Sequence, residues 1–103
     1  MIIMENFDLK LSKIRESCKK FRVKKLEVFG SLARGDFRDD SDVDFLVEFE
    51  DLFEPNISDK YFGLLEELEN LCQRKVDLVE ATSITNPFFK QSIERNRTLI
   101  YGN

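Results

Sequence analysis

Histidine is absent from all 103 residues, which removes imidazole metal ligands, Ser-His triads and histidine general bases together. Cysteine is nearly as scarce: Cys18 and Cys72 stand far apart and match no C-x-x-C pattern, so neither a disulfide framework nor a thiolate zinc site is expected. No run approaches the roughly 18 to 20 apolar residues that spanning a bilayer requires. The opening MIIMENFDLK lacks the basic start and long apolar stretch of a signal peptide. The cytosol is therefore the expected location, and a membrane is not an expected partner. An excess of positive charge is missing too, and a formal charge of -4 opposes non-specific binding to a nucleic-acid backbone, where phosphate contacts supply most of the affinity. Internal repeats, low-complexity tracts and linkers are also lacking. What remains for chemistry is carboxylates, and the ions that suit them are hard ones such as Mg²⁺.

The chain has the length of one domain, 1–103, large enough for a single core but small for an enzyme holding two substrates unaided. Hydrophobic residues at 42%, charged residues at 35% and ten Phe fit a folded domain. Between about 5 and 21, Phe7, Leu11, Ile14, Cys18 and Phe21 fall at steps of four and three, the stripe of an amphipathic helix. KLEVFG at 25–30 predicts a strand stopped by Gly30. Residues 43–49 alternate, with Val43, Phe45, Val47 and Phe49 on one face and Asp44, Leu46 and Glu48 on the other. A loop around Pro55 leads to a helix capped by Ser58 or Asp59 and running to about Arg74. Leu64, Leu65, Leu68, Leu71 and Cys72 form its apolar stripe, and Glu66, Glu67, Glu69 and Asn70 face water. VDLVE at 76–80 is a short strand, Asn86-Pro87 opens another helix, and TLIY at 98–101 is a last edge strand. Phe88 and Phe89 read as core or interface rather than a base-stacking platform. The expected fold is α/β (α+β): a mixed sheet of about three to four strands packed with about three helices.

The informative stretch begins Gly30-Ser31-Leu32-Ala33-Arg34-Gly35 and ends Ser41-Asp42-Val43-Asp44. On a strand Asp42 and Asp44 project to the same side, with Cα atoms about 6 to 7 Å apart, close enough to share metal ions. Two such carboxylates repel when empty, and a cation resolves the repulsion. Gly30, without a Cβ, lets a phosphate approach the backbone, Ser31 adds a hydroxyl donor, and Arg34 can offer a planar fork to phosphate oxygens. Arg38 is a weaker candidate for the same task. Asp77, between inward-looking Val76 and Leu78, can be delivered to the same edge as Asp42 and Asp44, so that three carboxylates surround the metals.

Gly30-Ser31, ten residues, then Asp42-x-Asp44, with Arg34-Gly35 and Ser41 inside, resembles the signature of the DNA polymerase β-type nucleotidyltransferase superfamily, and most closely its minimal nucleotidyltransferases, the MNT proteins. The likeness covers essentially the whole chain, with Asp77 matching the family's third carboxylate; Phe45 stands where Leu is usual, on the buried face. The resemblance implies that Asp42 and Asp44 bind two Mg²⁺ ions, that Asp77 helps activate an acceptor hydroxyl, and that Gly30 and Ser31, aided by Arg34 and Ser41, hold the phosphates of ATP or another NTP. It also implies an acceptor: MNT proteins serve as antitoxins that transfer AMP to a tyrosine of a partner HEPN-domain ribonuclease toxin. Larger relatives hold the acceptor with an added domain, for which this chain has no residues left, so a partner protein or an oligomer must supply that surface.

Competing readings of the same residues are weaker. Ser41-Asp42 alone fits an Asx-type turn, but that leaves Asp44, Gly30-Ser31 and Asp77 unexplained. Asp40, Asp42 and Asp44 fall at the first three ligand positions of a calcium loop, yet Phe45 replaces the required Gly and Asp51 the final Glu. G-S-L-A-R-G is neither a P-loop nor a dinucleotide fingerprint. Arg34 can instead pair with Asp36 or Asp39. Two other functions use the same site or surface: an antitoxin that neutralises its partner by binding alone, and transfer to a small molecule.

Overall fold

The computed structural model describes residues 7–30, 42–88, 90–91 and 97–102. Helix α1 (Phe7–Lys20) leads into strand β1 (Val23–Phe29); strand β2 (Val43–Phe49), helix α2 (Ile57–Cys72) and strand β3 (Val76–Glu80) follow. A single 3-10 turn (Ala81–Ser83) leaves β3, and strand β4 (Thr98–Tyr101) ends the described chain. The strands form one sheet in the order β3-β2-β1-β4. β1 pairs antiparallel with both β2 and β4, while β2 and β3 run parallel, the step that α2 connects. The sheet is thus mixed and four-stranded, as the sequence predicts. Of the three helices expected, two are complete among the described residues. For the third, the Asn86 side chain accepts from the Phe88 amide at 2.9 Å and the Lys90 amide reaches the Asn86 carbonyl at 3.0 Å, so a helical turn does begin at Pro87. Phe88 is 81% exposed, so it is surface rather than core.

Both helices lie on one face of the sheet. Ile14 and Cys18 from α1, and Leu64, Leu68 and Cys72 from α2, share a cluster with Leu26, Val28, Val43, Phe45, Val47, Leu78 and Ile100. The alternation in β2 dictates this: its odd-numbered residues are all buried in that cluster. Burial pushes the Cys18 thiol up to about 12 and the Cys72 thiol to about 11, so both act as small apolar groups. No helix among the described residues is long and apolar enough to cross a membrane.

Helix α2 differs from its expected form at both ends and along its outer side. It begins at Ile57, with Asn56 at the N-cap making no side-chain capping bond, because the turn that closes from the Ile57 amide onto the Glu54 carbonyl at 3.1 Å winds directly into the helix. It stops at Cys72 because Gln73 turns left-handed (φ 55), its amide closing on the Glu69 carbonyl at 2.9 Å. Glu67 and Glu69 are not simply solvated. Glu67 accepts from Ser17 Oγ at 2.7 Å and from Lys20 Nζ at 2.6 Å, clamping α2 to α1, and Glu69 accepts from the Val76 amide at 3.2 Å.

Candidate active site

The opposite face of the sheet carries no helix from α1 or α2, and β-pairing sets its side chains in rows. Phe29 pairs with Asp44, and Asp44 pairs with Asp77 across the parallel step. The next row runs Leu99, Glu27, Leu46, Val79, and the one after it holds Lys25 and Glu48. The first row contains two carboxylates side by side, a like-charge pairing that strands ordinarily avoid. The neighbours on the other face, Val43, Phe45, Val76 and Leu78, are buried and apolar, so the hydrophobic pattern alone fixes which way Asp44 and Asp77 point.

Gly30 follows Phe29 and adopts φ 74, a conformation that costs a side-chain-bearing residue. A Cβ placed there would overlap Asp44 Oδ2 and stand 3.1 Å from Asp44 Cγ. The strand end and the carboxylate are therefore packed directly against each other, and a side chain at this position would be strained in its backbone and would have to displace the Asp44 carboxylate. Asp42 is exposed, one residue before β2, and its neighbour Val43 is held by its amide to the Lys75 carbonyl at 3.0 Å. Ser31, Arg34, Arg38 and Ser41 lie outside the described residues.

The donor chemistry fits magnesium better than a metal that needs a complete protein cage. Among the described residues, no group of three or more Asp, Glu or Cys side chains is gathered to hold a metal. Mg²⁺ is usually bound by one or two carboxylates with the remaining positions filled by water and substrate phosphates. Asp44 in this row and Asp42, just before β2, would be the carboxylates to hold such an ion, with Asp77 beside them in the row.

Three groups beside the row were not singled out by the sequence pattern. Tyr61 of α2 donates its hydroxyl to the Leu78 carbonyl, and its phenol is pushed up by burial first and by the negative charge of Asp77 second. Glu27 is buried at 6% exposure on the face away from the two helices, held by Arg97 Nε at 3.3 Å and Lys25 Nζ at 3.8 Å. Its place in KLEVF marks it as facing away from Leu26 and Val28, but the cation that permits its burial comes from a segment seventy positions later. Arg97 is that cation.

A profile of the nucleotidyltransferase domain matches residues 11–100. Over 82 residues the chain is 45% identical to a Methanocaldococcus jannaschii protein provisionally named a protein adenylyltransferase, a match covering 80% of this chain and 79% of that one. It is 41% identical over 76 residues to the protein adenylyltransferase MntA of Thermococcus cleftensis, covering 74% of each. The fold superimposes with a TM-score of 0.65 and 19% identity on a chain of the complex between tri-AMPylated HEPN toxin and MNT antitoxin from Shewanella oneidensis, over 93% of this chain and 72% of that chain. With the profile spanning nearly the whole sequence and the carboxylate row on the sheet face away from α1 and α2, the chain belongs to the nucleotidyltransferase domain family.

Proposed function

We propose that this nucleotidyltransferase is a magnesium-dependent protein adenylyltransferase that moves AMP from ATP onto a tyrosine hydroxyl of a HEPN-domain toxin in the cytosol, and so acts as its antitoxin. The observation that carries the reading is the pairing of Asp44 with Asp77 beside a left-handed glycine whose Cβ, if it had one, would meet the Asp44 carboxylate. The names of the two archaeal relatives, and the AMPylated toxin bound to an MNT antitoxin in a protein of the same fold, supply the acceptor class.

In this reading Asp42 and Asp44 hold magnesium, and Gly30 with Ser31 receives the triphosphate, helped by Arg34 and Ser41. Magnesium, when bound, offsets the charge of the phosphates and lowers the pKa of the attacking oxygen. Asp77 orients the acceptor hydroxyl and accepts its proton. The hydroxyl oxygen forms a bond to the α-phosphorus, the bond from that phosphorus to the bridging oxygen breaks, and pyrophosphate leaves. The chain's own contribution is positioning and fixed charge.

The test is incubation with α-labelled ATP, Mg²⁺ and the HEPN-domain partner. Label should pass to the partner, and Asp44→Asn should reduce transfer about 10²- to 10³-fold or more, the scale expected when a preorganised electrostatic group is removed. If Asp42→Asn/Asp44→Asn neutralised the toxin as fully as wild type at equal concentration, binding without turnover would replace this mechanism.

A further inference from the structure

The carboxylate row divides the open face into two unlike parts. Gly30 lies beyond the row at one end, where β1 leaves the sheet. On the other side the Leu99–Glu27–Leu46–Val79 row begins one two-residue step away, about 6.6 Å along the strands. That side is concave: a groove of about 390 Å³ has Leu46, Ala81 and Ile84 among its lining, with Thr82, Lys90 and Arg97. Leu99, 47% exposed, carries the apolar row on to the sheet edge.

In-line displacement requires the attacking oxygen to approach the α-phosphorus opposite the departing pyrophosphate. With the triphosphate at the Gly30 corner, the acceptor must enter from the groove side of the row. The groove's charge is also opposite to that of the whole chain. Its carboxylates, Glu27 and Glu48, already face cations: Glu27 meets Lys25 and Arg97, and Glu48 meets Lys24 at 3.5 Å. Among the described residues three cations, Lys25, Lys90 and Arg97, line this side against two carboxylates, in a chain whose net charge is -4. A locally positive rim around an apolar floor favours an acidic partner surface that presents an apolar or aromatic side chain.

We propose that this groove is the docking site of the acceptor, and that its occupant is a protein segment with an apolar or aromatic side chain flanked by acidic residues; the proposal rests on the adenylyl-transfer reading above. Lys90 and Thr82 are exposed, so both can be changed without opening the core. Lys90→Glu reverses charge on the rim, and Thr82→Trp obstructs it. With the HEPN-domain partner as acceptor, each should raise the acceptor KM about 5- to 20-fold, leave the ATP KM within about twofold, and keep the melting temperature of wild type. Calorimetry of the partner binding to Asp44→Asn, with and without Lys90→Glu, should show the same weakening without turnover. Wild type that transfers nothing sinks the adenylyl reading and the groove with it. Wild type that transfers while both variants keep the acceptor KM, or raise the ATP KM instead, overturns the groove alone.

Discussion

Asp44 and Phe45 are adjacent in the chain and answer to opposite rules. Phe45 enters the layer between sheet and helices, 2% exposed, where apolar area removed from water is what stabilises the fold. Asp44 enters the opposite face, beside another carboxylate and against a left-handed glycine, a like-charge pairing that strands ordinarily avoid. One strand thus separates folding from function by the parity of its residues. On the helix-covered face β2 follows the period-two burial pattern, whereas the opposite face sets two carboxylates side by side within one row, as is usual where a protein does chemistry.

The sharpest way to break this comparison is to change each neighbour in turn. Phe45→Ala should cost about 3 to 5 kcal/mol by removing transfer energy and leaving a cavity, read as a shift in the denaturant midpoint, with the specific activity of the remaining folded fraction preserved. Asp44→Asn should do the reverse, keeping the midpoint close to wild type while transfer is lost. A large loss of stability in Asp44→Asn, or an inactive but stably folded Phe45→Ala, would show that the two faces are not separable.

A smaller effect is expected where the faces meet the strand end. Gly30→Ala forces a side chain into φ 74, a cost of roughly 1 to 2 kcal/mol, and drives Cβ into the Asp44 carboxylate. Displacement of a positioned group by about 1 Å can cost about 100-fold in rate. Gly30→Ala should therefore lose about 10- to 100-fold in transfer, more than its stability loss explains, with both read on the same preparation by calorimetry and labelled-ATP assay.

How far the molecule was legible from its sequence follows the same division. The bounds of β2 and β3 were readable to the residue, because period-two alternation records burial directly in VDFLVEF and VDLVE. That Asp77 would face Asp44 was an expectation about which edge it reaches; its register depends on the length and seating of α2, which no local pattern encodes. The burial of Glu27 was invisible for the same reason, since Arg97 lies far along the chain. Glu67 and Glu69 read as a solvated helix face because their spacing is that of one, while their partners Ser17, Lys20 and the Val76 amide are supplied by tertiary structure. Ser31, Arg34 and Ser41 fall outside the described residues, so the part proposed for them in holding phosphates rests on the sequence pattern.

The smallest effect tests the helix layer by pH. Hydrogen bonds from Lys20 first and Ser17 second, reinforced by the Lys20 charge and partly opposed by burial, hold the Glu67 carboxyl below its ordinary value of 4.5. A folded-state value below the unfolded one means that the clamp's contribution is fully present above about pH 4.5 and is lost as pH falls through the lower, folded value. Lys20 is 65% exposed, so the ion pair belongs to the surface class worth at most about 1 kcal/mol. Glu67→Gln should therefore be slightly less stable than wild type at neutral pH, with the gap closing in acid, and should transfer AMP at the wild-type rate. A gap that stayed constant from pH 7 down to pH 3 would mean that Glu67 contributes through packing rather than charge. A lost transfer rate would mean that the α1–α2 clamp reaches the carboxylate row through the sheet, and that the two faces share more than a backbone.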